Sequence, residues 1–161
     1  MHLSQRPEID LLMACTLPRC VSDASYRIQA LVAAGMDWPK VSALASYHSV
    51  QPLLYTRLTE LSPGVVPEHV LAQLAVEFRR NTARNLYLTG ELIRILKVFA
   101  DEGIPVLPFK GPLLAQQAYG NLGLRVFLDL DLLIHPDDAG RVLGLLAVRG
   151  YRPNPRLELV T

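Results

Sequence analysis

The sequence predicts an α+β protein, with a helical bundle over residues 1–102 followed by a small α/β core over residues 103–161. Three observations predict it. Apolar residues recur at helical spacing through the first hundred positions, the period changes after Gly103, and the later run "RVFLDLDLLI" is the strongest strand pattern in the chain.

The helical elements come first. In "SDASYRIQALVAAG", Ser22 or Asp23 is the expected N-cap, Ile28, Leu31 and Val32 the apolar face, and Gly35 the stop. "MDWPKVSALASYHSV" repeats the logic, with Asp37 as cap, Pro39 in the first turn and a buried stripe of Val41, Leu44 and Ala45; Trp38 and His48 read as core. "QPLLYTRLTEL" adds a turn or two before "SPGVVP" interrupts. From Pro67 to about Glu102 one long helix is expected, because Val70, Leu71, Leu74, Phe78, Leu92, Ile93, Leu96 and Phe99 keep a helical period until Gly103.

After Gly103 the elements shorten. "IPVLPFK" is extended, and Pro105 and Pro108 lack amide protons, which suits a sheet edge. "KGPLLAQQAYG" reads as a short helix with Gly111 as N-cap, Pro112 at the first position and Gly120 past the end. The strand at 125–134 follows. Pro136 opens a helix through Arg149 with Asp137 and Asp138 in its first turn, Gly150 closes it, and "RLELVT" is a final strand.

Composition narrows the partners. Half of the 161 residues are hydrophobic, enough for a real core. Sixteen basic against fifteen acidic residues leave a formal charge of +1, so no global field draws the chain to nucleic acid or anionic lipid. Arg79, Arg80 and Arg84 keep a local phosphate contact open, against the commoner reading of a solvated helix face. Cys15 and Cys20 lack zinc-site company and read as packed thiols, which suits a reducing cytoplasm. The N-terminus carries Glu8 and Asp10, unlike a signal peptide, and no stretch approaches the ~20 apolar residues of a membrane span. A cytoplasmic protein with no membrane partner is expected.

The chemistry gathers in one region. On a strand, alternate side chains share a face, which would put Asp129 and Asp131 on the same side with Cα atoms ~6.5–7 Å apart, near enough to share a divalent cation. Magnesium, or manganese in its place, takes one or two carboxylates and fills its shell with water and phosphate. Lys110-Gly111 supplies a matching phosphate site: a point charge, a backbone that approaches a ligand closely, and a helix N-terminus. Arg125 is a second phosphate candidate. The bland alternative is a sheet end where the two aspartates meet water or a neighbouring arginine, Lys110 is solvated and Gly111 merely starts a helix. His135, ahead of Pro136, reads as a helix-cap residue, and Tyr119 as packing.

The ordered set Lys110, Gly111, Tyr119, Arg125, Asp129 and Asp131 resembles the uncharacterised nucleotidyltransferase family of the DNA polymerase β-like superfamily, and the preceding helices look like that family's N-terminal region. The resemblance implies a nucleotidyltransferase-like α/β core with a mixed sheet. It makes Asp129 and Asp131 the catalytic metal ligands, and Lys110, Gly111 and Arg125 parts of a nucleoside triphosphate site. The product would be a nucleoside monophosphate joined to an unidentified acceptor. The chain departs from the pattern in carrying Lys-Gly-Pro where Gly-Ser is more usual, and in ending at Thr161, before the strand that bears a third carboxylate. Glu158 is the candidate substitute, and a truncated core is the expectation. A second reading is a non-catalytic nucleotide-binding or interaction module, whose shortened sheet edge is covered by a second copy or another partner.

Overall fold

The computed structural model describes residues 6–17, 22–61 and 64–153. Four helices lead the chain: α1 (Pro7–Thr16), α2 (Ser22–Ala33), α3 (Trp38–Tyr47) and α4 (Gln51–Leu61). Their punctuation is largely local. Asp37 caps α3 by accepting from the Lys40 amide at 3.1 Å, with Pro39 in the first turn as expected. Ser22 and Asp23, by contrast, both lie inside α2 rather than ahead of it. α4 runs for 11 residues, longer than the turn or two that its sequence suggests, because Pro52, Leu54 and Leu58 bury one side against α1 and α5.

The 34-residue α5 (Glu68–Asp101) is the spine of the molecule, about 50 Å long. Its end is a Schellman motif: Gly103 turns at φ +66°, its amide reaches the Ala100 carbonyl at 3.1 Å, and the Ile104 amide reaches the Phe99 carbonyl at 2.8 Å. Ile104 and Phe99 then pack together, so the stop signal also turns the chain into the second core.

Two apolar clusters use the two ends of α5. Leu11, Cys15, Ile28, Val41, Ala45, Leu54 and Leu58 meet Val70 and Leu74 in the first. Ile95 and Phe99 meet Ile104 and Val142 in the second, with Val106, Leu130, Leu132 and Ile134 against them. The expected stripe misplaces one residue near its end: Ile93 is 61% exposed, and Ile95, two positions on, is buried. His48 is exposed too, as the C-cap of α3, with its ring edge-on to Tyr47. Trp38 does pack on the first core, half-buried.

Beyond α5 come β1 (Val106–Phe109), α6 (Gly111–Tyr119), a 3₁₀ turn (Leu122–Leu124), β2 (Asp131–Ile134), a second 3₁₀ turn (Pro136–Asp138) and α7 (Ala139–Val148). The two strands pair antiparallel, Val106 opposite Ile134 and Phe109 opposite Asp131. The expected strand over 125–134 is therefore much shorter, and Asp129 lies at a bend outside it. The reason is a shortage of partners. β1 turns into α6 at Lys110, so Asp131 is the last residue with a strand opposite it, while upstream the carbonyls at 122–125 bond to α5.

Lys110, not Gly111, is the cap of α6, and Gly120 ends the helix at φ +63° as expected. α7 is tied back to the end of α5 by Arg141, which donates to the Glu102 carbonyl at 2.8 Å. Its own end repeats the Schellman pattern at Gly150. The expected strand at 156–161, with Glu158, lies outside the described residues, as does Cys20. Among those described, no helix is long and apolar enough to cross a membrane.

Candidate active site

The antiparallel register brings the Lys-Gly turn onto the aspartate segment. Phe109 is opposite Asp131, so the next residue, Lys110, leaves the ladder beside that carboxylate, and its Nζ lies 3.9 Å from Asp131 Oδ2. The Lys110 side chain is 58% exposed and that of Asp131 29%, so solvent or a ligand reaches both. At this exposure the ion pair itself contributes little to stability. Lys110 also holds an unfavourable backbone, φ +54° and ψ −139°, in a region that residues with a Cβ avoid.

Gly111 completes the turn at φ +37°, and a Cβ built there would stand 3.6 Å from the Asp129 carbonyl oxygen. The turn thus meets the aspartate segment through the Lys110 side chain at Asp131, and a side chain at position 111 would come into contact with the Asp129 main chain. Asp129 itself is exposed.

Arg125 is held from beneath. Its carbonyl accepts from the side-chain amides of Asn85 at 2.7 Å and Asn81 at 3.2 Å, and the same two amides also donate to the carbonyls of Leu122 (2.6 Å) and Gly123 (2.9 Å). Both asparagines are buried in the middle of α5. They fasten the 122–125 turn to the long helix and so aim the chain toward Asp129. Asn121 braces the same turn by accepting from the Gly123 amide at 2.8 Å. The Arg125 guanidinium stacks 5.9 Å from the Phe127 ring centre, and its buried Nη1 has no partner among the described residues. Among the described residues no hydrogen bond or ion pair joins it to Lys110 or Asp131.

Asn81 and Asn85 are the residues that sequence reasoning missed. Two asparagines at i and i+4 inside an unbroken helix are a signal, since asparagine favours turns and caps over helix interiors. In sequence nothing separates them from residues of a polar face, because their partners lie some forty positions away.

The remaining candidates separate. His135 Nδ1 accepts from the Asp137 amide at 3.4 Å and caps the 3₁₀ turn, as expected. Tyr119, at the far end of α6 from Gly111, lines a cavity of about 480 Å³ with Cys15, Arg57 and Asn121. Cys15 is buried there with its thiol pushed up to about 12 by burial, an inert packed thiol. Arg80 and Arg84 line another cavity, of about 250 Å³, with Gln51 and Val126, and Arg79 is exposed outside it.

Asp129 and Asp131 offer a donor set of two hard carboxylates, the kind that suits magnesium when water and phosphate complete its shell. Among the described residues no cluster of three His, Cys, Asp or Glu gathers to hold a metal. The structure brings Lys110 to Asp131, while Asp129 is exposed at a bend two residues before it.

A family model described as an uncharacterised nucleotidyltransferase matches residues 34–158, a span that includes every residue of this site. No curated protein and no solved structure matches the chain.

Proposed function

The chain belongs to the uncharacterised nucleotidyltransferase family, and from that premise we propose that it binds a nucleoside triphosphate at the Lys110-Gly111 turn and transfers the nucleoside monophosphate to an acceptor hydroxyl. The observation that carries this reading is the meeting of the Lys-Gly turn with the aspartate segment, Lys110 Nζ at 3.9 Å from Asp131 Oδ2. Lys110 sets its point charge on the phosphates, the Gly111 backbone lets them approach, and Arg125 adds positive charge at the flank. Asp129 and Asp131 would hold Mg²⁺ or Mn²⁺. When bound, the cation neutralises phosphate charge and so eases attack at the α-phosphorus.

In the transfer, the acceptor oxygen forms a bond to the α-phosphorus, the bond from that phosphorus to the bridging oxygen breaks, and pyrophosphate leaves. The acceptor proton goes to a base, for which this chain's candidate is Glu158, outside the described residues. The short β1–β2 pair is the element that a second copy or another partner would extend.

Calorimetric titration of ATP, GTP, CTP and UTP, each with Mg²⁺, tests the assignment on wild type, Asp129→Asn, Asp131→Asn and Lys110→Ala. Loss of about tenfold or more in affinity is expected for each variant, the scale of one charge-assisted contact. Equal binding by all four proteins would remove these residues from the site. Binding without release of pyrophosphate across a panel of acceptors would favour the non-catalytic module.

A further inference from the structure

Arg80 and Arg84 have no part in the site above, yet the fold places them together at a cavity that Val126 also lines. Glu77, Arg80, Asn81 and Arg84 form one stripe of α5 at helical spacing, and they line a cavity of about 250 Å³ with Gln51, Pro52 and Val126. Val126 is three residues from Asp129, so its Cα is at most ~11 Å from that of the aspartate even with the chain fully extended.

The cavity is equipped for an anion. Two guanidinium groups outweigh the one carboxylate of Glu77. Arg84 spends Nη2 on Asn81 Oδ1 at 2.6 Å, but its Nε is buried with no partner among the described residues. Gln51 Oε1 is likewise buried and without a partner. Turning that amide end for end would supply a further donor on a residue that lines the cavity. Gln51 and Pro52 are also the first residues of α4, so the positive end of that helix dipole adds to the field. A buried donor without a partner is costly, and a phosphoryl oxygen would answer it.

We propose that Arg80 and Arg84 form a phosphoryl-binding subsite, with Gln51 as its third donor. On the nucleotidyltransferase reading, which this step rests on, the subsite holds the acceptor by a phosphate group and so presents a nearby hydroxyl toward Asp129. The acceptor is thereby a small phosphorylated molecule. The cavity takes one phosphate and part of its carrier, whereas a nucleic-acid strand would need a longer basic track, and Arg79 lies outside the lining.

The test is inorganic phosphate titrated into ¹⁵N-labelled full-length protein without magnesium, read at the Arg84 Nε–H and the Val126 amide. The expected result is a saturable shift of both signals. Arg80→Ala should weaken it about tenfold, Glu77→Gln should tighten it severalfold by removing the opposing charge, and Asp131→Asn should leave it unchanged. A purely structural role for these residues would not give opposite effects in the first two variants. Shifts confined to the neighbourhood of Gly111, or affinities indifferent to Arg80→Ala and Glu77→Gln, would overturn the subsite. So would tighter, steeply salt-dependent binding of an oligoribonucleotide that depends on Arg79 as well. Phosphate binding at Arg84 in a protein that binds no nucleotide would keep the subsite and remove the transferase reading instead.

Discussion

Asn85, in the middle of α5, donates its side-chain amide to the main-chain carbonyl of Arg125 at 2.7 Å, across 40 positions of sequence. Asn85 is wholly buried, and the same amide also serves Leu122. The contact decides where the chain goes between α6 and β2. Asn85→Ala removes it, strips the Leu122 carbonyl of its side-chain partner and leaves Arg125 with only the 3.2 Å bond from Asn81, at a cost of about 1–3 kcal/mol. Urea unfolding should show that loss, and nucleotide titration on the folded fraction should show weaker binding as the Arg125–Asp129 segment loosens.

Gly123 occupies the tightest point of the same turn. A Cβ there would stand 2.6 Å from Thr82 Oγ1, 3.2 Å from Asn121 Oδ1 and 3.3 Å from Phe78 Cζ. Gly123→Ala should destabilise by about 1–3 kcal/mol through overpacking. Adding Thr82→Ala should recover part of it. A double-mutant cycle with no coupling between the two positions would contradict the contact.

Lys110 separates folding from function. Its side chain reaches Asp131 while its backbone holds φ +54°. Lys110→Gly relieves the backbone and should raise stability by about 1 kcal/mol, while weakening nucleotide binding because the charge is gone. Thermal melts and calorimetry on the same preparation report the two effects. A variant that loses both would show that Lys110 acts through the fold.

Acid sensitivity has an address in α1. Lys40 donates to Glu8 at 2.9 Å and holds its carboxyl below the ordinary value of 4.5. The folded state therefore gives up its proton more readily than the unfolded chain. The contribution is fully present above pH 4.5 and is lost as the pH falls through the lower, folded value. Urea midpoints between about pH 6 and pH 3 should fall toward acid, and less steeply in Lys40→Met. Identical slopes in the two proteins would detach the pair from acid unfolding.

Cys15 gives a chemical readout of the first core. With its thiol pushed up to about 12 by burial, the thiolate is scarce near neutral pH. In a Cys20→Ser background, alkylation at about pH 8 should run on the order of a hundredfold or more slower in the folded protein than in urea. Equal rates would place the thiol outside the core.

Much of this protein is decided locally, and those parts were legible. Asp37 caps α3, Gly103 and Gly150 end helices at positive φ, Gly120 closes α6, and Pro39, Pro67 and Pro112 mark helix starts, because each acts on neighbours within a turn. Lys110-Gly111 and Asp129-x-Asp131 were likewise visible as residue types suited to phosphate and cation.

Tertiary structure decided what those motifs do together. The span from Arg125 to Leu130 has strand-like residues, but β1 is too short to pair with it and α5 takes its carbonyls, so Asp129 ends at a bend. Ile95 rather than Ile93 is buried because the second core approaches α5 from one side only. Asn81 and Asn85 are buried because the 122–125 turn supplies their hydrogen-bond partners, and a polar residue with a distant partner looks in sequence like a polar residue facing water. Local rules chose the elements; the need to satisfy buried backbone groups chose which of them meet.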